Sequence, residues 1–487
     1  MKIIFIPPFP ESTPYIWVLS RFFMASENFD DIGIICPKSY VSQDMKIKES
    51  RWENDFFSKI RNSYELFPID WIDTKNIYLL DNLYPVNEAE KAEDIKYKIA
   101  TERIPKLEAQ LNKIIETIGV REIDYFVSWF NCPSLSTIAR KFNKKVIFNE
   151  LGPLRFPAYK STVYFDFGGI NGANSISSEY NLFKEEFLRK RFKLFSRIEI
   201  SEFYKPFLDL SPKQYIAGKF KVGVALQCES DSNLFAYSNG WTNLKLLKEF
   251  QRLYGNNNVL VRFHPLGEKY EQPSPVDQSS FVIEFLNKIE ELITINSSVA
   301  AEAILFGKKV QILGSSPLNF IVDEKSSEEK LLKINFFFLF YLLPAPLLFT
   351  DAYYKWRLSN PSFEEIGLIN LFFLTGDLKY LDKVSHRENS FKFKMLQLFN
   401  QFKKDSVISS AVLLLEDFLN SKKNNDELND IKSENTQLEV CCDRILNAFC
   451  TNENLYSKTV SEYSDFLNSK GIKEFLLLKR ILKKLKF

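Results

Sequence analysis

The chain has 487 residues, a length that predicts two or more domains rather than one hydrophobic core. Its 45% hydrophobic and 26% charged residues are typical of a soluble globular protein. The 64 basic and 62 acidic residues leave a net charge of +2, which argues against bulk binding of nucleic acid.

Cysteine usage and the start of the chain predict a cytoplasmic protein. The 6 cysteines are scattered without the CxxC spacing of a zinc site, which is typical of a reducing compartment. Met1 to Ile6 runs directly into two prolines, so no secretory signal is predicted. The most hydrophobic segment, Ile334 to Phe349, is shorter than the roughly 20 residues of a spanning helix and contains prolines. This segment is predicted to be buried core.

The first part of the chain predicts alternating strands and helices. Apolar residues at helical spacing occur in the charged stretch from Glu88 to Ile118, and a short helix is predicted near Leu135 to Phe142. Strands are predicted at Lys2 to Ile6, Ile32 to Cys36, Tyr125 to Ser128 and Lys145 to Phe148. This alternation is typical of a parallel sheet with helices on both faces.

The segment from Glu150 to Asn174 differs from its surroundings because it holds 4 of the 16 glycines and 2 of the 20 prolines. This content predicts that it forms no regular element. A long irregular segment in a globular protein is usually functional, and an interdomain linker is the alternative. Function is favoured because Glu150 closely follows a buried strand.

A second Rossmann-like unit is predicted after a charged helix at Glu179 to Phe207. Its strands are predicted at Val222 to Leu226, Val259 to Phe263, Leu292 to Ile295 and Lys309 to Leu313. Its helices are predicted at Thr242 to Tyr254, Phe281 to Ile289 and Ser298 to Phe306. The segments from Thr350 to about Asn420 also have a helical pattern.

The last residues predict a linker followed by a basic amphipathic helix. Ser421 to Glu434 is polar and predicts a linker or an exposed hinge. Lys473 to Phe487 is rich in basic residues and places its leucines and Ile481 at helical spacing. Such a helix can lie on an anionic membrane surface, here the inner membrane. Packing on the protein body or against another chain is the alternative.

Three predicted strands of the second unit end in polar residues, and we expect these ends to meet around one substrate. The strand ending at Leu226 is followed by Gln227, Glu229, Asp231 and Ser232. The next ends in Arg262, His264 and Pro265, and the third in Asn296, Ser297 and Ser298.

Each strand end permits more than one chemistry. Glu229 or Asp231 can act as a base, or as a nucleophile toward an anomeric carbon, and capping of the next helix is the alternative. His264, one of only 2 histidines, can donate to a phosphate or act as a general acid. The alternative is a histidine that only forms a hydrogen bond with the local backbone. The serine pair Ser297 and Ser298 precedes a helix and is read as a phosphate site or as a simple cap.

Several motifs occur in an order that carries a family likeness. They are ELGPLRFP with DFGGIN between Glu150 and Asn171, QCESDS at Gln227 to Ser232, RFHP at Arg262 to Pro265, and NSSVAAEA with GKKV between Asn296 and Val310. In these motifs the chain resembles the bacterial β-Kdo transferases of capsule and lipopolysaccharide synthesis, the KpsC/KpsS-like group and its WbbB-like O-antigen relatives. The likeness covers roughly Glu150 to Leu313 and extends through Tyr353 to Pro361.

The resemblance implies an α/β, GT-B-like fold with two Rossmann-like domains facing a central cleft and a helical C-terminal extension. It also implies a CMP-Kdo donor and transfer of the acidic ketose Kdo as the β-anomer, with retention. Asp231 is then the nucleophile of a double displacement, with Gln227 and Glu229 as its supports. The implied domains are an acceptor-side domain at 1–205, a CMP-sugar domain with its extension at 206–420, and a linker with a helical tail at 421–487.

The resemblance assigns further roles to the remaining motif residues. His264, Ser297 and Ser298 hold the CMP phosphate, and Glu150 lies near the acceptor or serves in proton transfer. No metal is expected, because a monophosphate donor has no pyrophosphate for a metal to bridge. Substrate binding is assigned to Gln227, Glu229, Ser232, Arg262, Asn296, Ser297, Ser298, Glu302, Arg155 and Asn171.

The implied acceptor is a surface polysaccharide or glycolipid, and the implied location is the cytoplasm or the inner face of the inner membrane. Two alternatives remain open. One is another CMP-sugar transferase of inverting, sialyltransferase-like type, which needs an aspartate base in the N-terminal half, with Asp124 as the candidate. The other is a non-catalytic scaffold for polysaccharide assembly.

Overall fold

The computed structural model describes nine longer segments and a few short positions. They are residues 1–8, 30–41, 74–81, 92–156, 158–205, 219–265, 267–279, 281–385 and 389–404, with 18–19, 22, 25–26 and 83. Those up to Phe402 belong to one compact unit. The predicted linker and tail at 421–487, the end of the helical extension and His386 lie outside the described residues.

The first sheet has a Rossmann-like core. Its strands are β1 (Lys2–Phe5), β2 (Ile32–Pro37), β3 (Ile77–Leu80), β4 (Tyr125–Ser128), β5 (Lys145–Leu151), β6 (Thr162–Asp166) and β11 (Leu342–Pro344). The order is β11-β6-β5-β4-β1-β2-β3. β1 to β5 pair in parallel, whereas β6 and β11 are antiparallel to their neighbours. The order 3-2-1-4-5 of the parallel strands is that of a dinucleotide-binding half-fold.

The second sheet is wholly parallel. Its strands are β7 (Phe220–Ala225), β8 (Val259–Arg262), β9 (Ile289–Thr294) and β10 (Lys309–Ile312), in the order β10-β9-β7-β8. The strand order reverses between β7 and β9, which is where ligands bind in open parallel sheets. Two Rossmann-like sheets in one chain confirm the predicted GT-B-like α/β fold class. We call the part that carries the first sheet the first half and residues 219–313 the second half.

Helices connect the strands and cover the sheets. They are α1 (Ala92–Thr101), α2 (Pro105–Ile118), α3 (Pro133–Lys141), α4 (Ile176–Lys190), α5 (Arg197–Phe203), α6 (Ser232–Tyr237), α7 (Asn243–Tyr254), α8 (Val282–Asn287), α9 (Val299–Leu305), α10 (Asn319–Val322), α11 (Ser327–Phe336), α12 (Asp351–Leu358), α13 (Phe363–Thr375) and α14 (Leu378–Asp382). A π-helix at Phe337–Tyr341 follows α11, and residues 389–404 are also helical. The predicted buried segment from Ile334 to Phe349 is confirmed, since it forms the end of α11, the π-helix and β11 within the core.

Two local predictions were wrong. The segment after Glu150 was expected to hold no regular element, but β5 continues to Leu151 and β6 spans Thr162–Asp166. The residues of β6 favour a strand, and this local preference prevails over the glycines and prolines around them. The single charged helix predicted at 179–207 is instead α4 and α5, separated where Arg191 adopts a left-handed backbone with φ of 50°.

The chain returns to the first sheet after β10. Leu342 and Leu343 of β11 pair with Tyr164 and Val163 of β6. Residues 342–344 therefore join the first sheet, although they were predicted to belong to the second domain. Pairing between strands almost 180 positions apart leaves no local pattern to detect. The exact domain boundaries stay a prediction.

No helix within the described residues is long and apolar enough to cross a membrane. The predicted location stays a prediction.

A buried ion pair between Lys2 of β1 and Asp351 of α12 fastens the returning chain to the first sheet. Burial lowers the pKa of Lys2, while the Asp351 charge opposes this. We expect Asp351→Ala to lower the free energy of unfolding by about 3–5 kcal/mol, because it leaves a buried lysine uncompensated. Urea denaturation measures this change.

The exposed pair of Lys38 and Asp81, 2.5 Å apart, is the control. Asp81→Ala should cost much less stability than Asp351→Ala, because solvent screens surface pairs. Equal losses for the two variants would contradict a special role for the Lys2–Asp351 pair.

Candidate active site

A pair of amide side chains closes the switch point of the second sheet. Gln227 Nε2 donates to Asn296 Oδ1 at 2.9 Å, and Asn296 N donates to Gln227 Oε1 at 3.1 Å. Both side chains are only 6% exposed. The ends of β7 and β9 are therefore held together by reciprocal bonds, and the loop that leads to Asp231 starts from a fixed point.

Glu229 anchors this loop to its surroundings. Its carboxylate accepts from Asn243 Nδ2 at 2.5 Å, Tyr270 OH at 2.7 Å and Glu268 N at 2.9 Å. Burial acts to raise the pKa of Glu229, but these three donors hold that pKa below its ordinary range. Glu229 is thus a fixed anion that shapes the loop.

Asp231 begins helix α6. Its Oδ1 accepts from Asn233 N at 2.9 Å, so the capping alternative for Asp231 is present in the structure. Burial raises the pKa of Asp231, while this hydrogen bond and the charges of His264 and Arg155 oppose the rise. The cap orients the carboxylate and does not exclude a chemical role.

His264 lies partly buried within electrostatic reach of Asp231. Burial lowers the pKa of His264, and the nearby charge of Arg155 adds to this effect. The carboxylates of Asp231 and Glu229 act in the opposite direction. Before a donor binds, the imidazole is therefore mainly neutral at neutral pH and can donate one N–H.

The first half contributes a second carboxylate, Glu150, from the end of β5. Burial raises the pKa of Glu150 to about 7, and the charge of Asp231 acts in the same direction. Donation from Leu151 N at 2.8 Å, the charge of Arg155 and the Trp129 indole act to lower this pKa. Carboxylates from the two halves thus influence each other directly.

Arg155 is a cation whose charge acts on the titratable side chains of the site. Its Nε donates to Gly152 O at 2.9 Å, and its side chain is exposed. The Arg155 charge acts on the pKa values of Asp231, His264, Glu150 and Glu302. One exposed guanidinium among these groups suits an anionic ligand, because it presents several donors in a fixed plane.

Glu302 on α9 connects the two halves. Its carboxyl is 8% exposed and accepts a hydrogen bond from the side chain of Tyr159 in the first half. Burial raises the pKa of Glu302 to about 7, against the charges of Arg262 and Arg155. Its assignment to substrate binding stays a prediction.

The serine pair lies at the start of α9. Ser297 Oγ accepts from Val299 N at 3.4 Å, whereas the Ser298 side chain makes no capping bond. Both serines are partly exposed. Ser297 is therefore at least a weak cap, and phosphate binding by the pair stays a prediction.

The remaining predicted substrate residues are Arg262, Asn171 and Ser232. Arg262 Nη1 donates to Asp277 Oδ2 at 2.5 Å and to Ser279 O at 2.9 Å. Asn171 is buried with a left-handed φ of 56°, in the glycine loop that we define as residues 168–172. Ser232 is the first residue of α6. Their roles in substrate binding stay predictions.

Several residues that build the site were not predicted from the sequence. They are Trp129, Asn131, Tyr159, Tyr237, Asn243 and Tyr270. One signal was present: Asn131 follows the buried strand β4 closely, as Gln227 follows β7. The tyrosines carried no such signal, because their partners lie far away in the chain.

The described part of the chain holds no group of three or more His, Cys, Asp or Glu residues placed to bind a metal ion. The expectation that no metal is needed stays a prediction.

Residues 4–175 match the family model described as the glycosyltransferase 99 family N-terminal domain. The first part of the chain is thus similar to a glycosyltransferase domain, in agreement with the predicted resemblance. No curated protein matches the chain.

Several solved structures are similar to this chain at low identity. One is Thermosulfurimonas dismutans KpsC, β Kdo 2,4 transferase, at 15% identity and a TM-score of 0.33, over 46% of this chain and 82% of that one. Another is Thermosulfurimonas dismutans KpsC, β Kdo 2,7 transferase, at 16% identity and a TM-score of 0.34, over 68% of this chain and 100% of that one. A third is Methanocaldococcus jannaschii UDP-GlcNAc 2-epimerase, at 12% identity and a TM-score of 0.27, over 74% of this chain and 99% of that one.

The raised pKa of Glu302 predicts a pH-dependent stability. The folded protein holds this proton up to about pH 7, whereas the unfolded chain releases it near its ordinary pKa of 4.5, so stability falls as the pH rises between the two values. Glu302→Gln keeps an acceptor for Tyr159 and removes the buried charge. We expect this variant to gain up to about 3 kcal/mol over wild type at about pH 8.

Denaturant titrations at about pH 8 and about pH 4 measure the difference, which should nearly vanish at the lower pH because Glu302 is then protonated in both states. Glu249→Gln on the exposed face of α7 is the control and should gain nothing, since Arg252 lowers the pKa of Glu249. An equal gain for Glu302→Gln at both pH values would show that its charge is not the cause.

Proposed function

We propose that this chain is a glycosyltransferase that moves Kdo from CMP-Kdo to a polysaccharide or glycolipid acceptor with retention of configuration. The observation that carries the proposal is the pairing of Glu150 and Asp231, two carboxylates from different halves, beside His264 and Arg155. The match of residues 4–175 to a glycosyltransferase domain and the motif resemblance support it.

In the first step, an oxygen of Asp231 attacks the anomeric carbon of Kdo. The bond from that carbon to the phosphate oxygen breaks, and CMP leaves with the electron pair. The ketose carbon carries a carboxylate and passes through an oxocarbenium-like transition state, which a nearby carboxylate stabilises. The hydrogen bond from Asn233 N to Asp231 Oδ1 holds the carboxylate in one orientation for this attack.

The departing phosphate needs positive or hydrogen-bonding partners. His264 donates its N–H to the phosphate, and Ser297 and Ser298 donate their hydroxyls at the start of α9. Arg155 neutralises an anionic group of the donor, either the phosphate or the Kdo carboxylate. Such donors act strongly where water is excluded, because they are already oriented before the reaction.

In the second step, Glu150 accepts the proton of an acceptor hydroxyl. The hydroxyl oxygen attacks the anomeric carbon from the face that CMP has left, and the bond to Asp231 breaks. Two inversions give net retention. A pKa of about 7 suits Glu150 to this task, since a general base works best when its pKa is close to the working pH.

The inverting alternative requires a base in the first half, for which Asp124 was the candidate. Asp124 precedes the first residue of β4, at the opposite end of the strand from the carboxyl edge. Its carboxylate lies 3.3 Å from the chain amino group and 3.9 Å from Lys355. This position disfavours Asp124 as the base.

Membrane contact through 473–487 stays a prediction outside the described residues.

Substitution of the nucleophile tests the covalent route. Asp231→Asn should lower CMP release from CMP-Kdo by roughly three orders of magnitude or more, because it removes the attacking group. Glu150→Gln should slow transfer and let a Kdo adduct accumulate on Asp231, which intact-protein mass spectrometry detects. Asp382→Asn, exposed at the end of α14, is the matched control and should behave as wild type.

The donor is tested by comparing CMP release from CMP-Kdo and from CMP-sialic acid. Release from CMP-sialic acid alone would refute Kdo transfer. Absence of CMP release from both donors, with folded wild-type protein, would favour a non-catalytic scaffold.

The pKa of Glu150 predicts the pH dependence of transfer. Glu150 must be ionised to accept the acceptor proton, so the transfer rate should rise with pH through about 7. Glu150→Gln should remove this inflection from the residual rate. A profile of acceptor transfer under saturating donor measures it, and a rate that falls through the same range would contradict the assigned role.

A further inference from the structure

Tyr237 links helix α6 to the first half. It is the last residue of the short helix that Asp231 caps. Its hydroxyl accepts a hydrogen bond from Asn131 Nδ2 at 2.7 Å, and Asn131 follows β4 of the first sheet. A side chain from the second half is thus fixed to a loop of the first half, on the same helix as Asp231.

Asn131 is itself rigidly held. Its Nδ2 also donates to Ile170 O at 2.7 Å, and its Oδ1 accepts from Ile170 N at 2.8 Å. The side chain is 6% exposed. These paired bonds tie Asn131 to the glycine loop, so Tyr237 contacts a preformed part of the first half.

The glycine loop has its own support. Buried Asp166 accepts from Gly168 N at 2.6 Å, Gly169 N at 3.1 Å and Tyr341 OH at 2.7 Å. The Tyr341 bond comes from the π-helix, which ties this loop to the core. The loop therefore forms a stiff platform.

Gly172 of this loop lies directly against the Tyr237 ring. A Cβ at position 172 would overlap ring atoms Cδ1 and Cγ of Tyr237. Any larger residue would push α6 away from the loop. The close approach of backbone and ring explains why glycine occupies this position.

The main chain of Tyr237 is held equally firmly by the second half and by the residues that follow it. Tyr237 O accepts from Ser315 N at 2.8 Å and from Asn296 Nδ2 at 3.2 Å. Asn296 is the residue that joins Gln227 at the switch point. Tyr237 therefore connects the switch point of the second sheet to the glycine loop of the first half.

We propose that Tyr237 is a positioning residue that, through Asn131 and Gly172, holds α6 and Asp231 against Glu150. Its catalytic consequence rests on the proposed function, but the geometric claim does not. The charged groups that act on Glu150 are Asp231 of α6 and Arg155 of the β5–β6 loop. Both the partial burial of Glu150 and the influence of Asp231 depend on the halves staying in contact.

Loss of the Tyr237 hydroxyl should loosen this contact and expose Glu150 further to water. Glu150 would then lose its proton at lower pH, because burial is the main cause of its raised pKa. Misplacement of Asp231 would also slow the reaction, since small displacements of a reacting group reduce rates strongly.

The test reads the Glu150 proton without using activity. The free energy of unfolding is measured against pH for wild type and Glu150→Gln. The difference between the two changes with pH until Glu150 loses its proton in the folded protein, and we call the pH of that ionisation the Glu150 inflection. The same pair is then compared in the Tyr237→Phe background. We expect the inflection near 7 in the first pair and lower by about one pH unit or more in the second.

Tyr254→Phe is the matched control, since Tyr254 is the exposed last residue of α7. It should leave the inflection unchanged. Gly172→Ala, which disturbs the same contact from the other side, should lower the inflection as Tyr237→Phe does. An unchanged inflection in both Tyr237→Phe and Gly172→Ala would overturn the proposal.

Transfer assays complete the test. Tyr237→Phe should lower kcat for transfer roughly 10- to 100-fold while KM for CMP-Kdo changes little, since positioning and not donor binding is affected. A rise in donor KM with unchanged kcat would instead make Tyr237 part of the donor site and refute the positioning role. If wild type does not use CMP-Kdo, the proposed function fails, and the unfolding comparison still decides the role of Tyr237.

Discussion

The reciprocal hydrogen bonds between Gln227 and Asn296 are the constraint on which the site depends. Both amides are buried, and a buried polar group without partners costs about 1–3 kcal/mol, so each side chain specifies the position of the other. Asn296 also donates to the carbonyls of Asn233 and Tyr237 in α6. The place where two strands diverge thereby sets the position of the helix that begins at Asp231, and Tyr237 carries that position across to the first half.

Burial of acidic groups is the second physical theme. Glu150 and Glu302 both have a pKa raised to about 7, and burial is the main cause in each. Ionised carboxylates in such surroundings oppose folding, and the large apolar core must offset that cost. Active sites commonly retain unfavourable electrostatics of this kind, because a carboxyl group with a pKa near the working pH transfers protons efficiently. Arg155 limits the cost by placing one cation among these groups.

The motif residues divide into those that build loops and those that interact mainly through their charges. Gln227, Glu229, Asn296 and Asp166 use their polar atoms on neighbouring protein groups. Asp231, His264, Glu150 and Arg155 are linked mainly through their charges. Asp231 belongs to both sets, since its helix cap also aims its carboxylate. Motif resemblance found both sets together because a sequence pattern does not separate a residue that holds a loop from one that reacts.

The sequence by itself determined most of the parallel strands and several of the helices, to within a few residues, because buried apolar runs and helical spacing are local properties. It also determined which strands end in polar residues, and so located Asp231, His264 and Glu150. Only the tertiary structure decided that β11 returns to the first sheet and that Tyr159 meets Glu302 across the halves. It also decided that Tyr237 meets Asn131, 106 positions away. Such contacts arise from long-range packing, and so does the raised pKa of Glu150, because burial depends on every element around a side chain and not on its sequence neighbours.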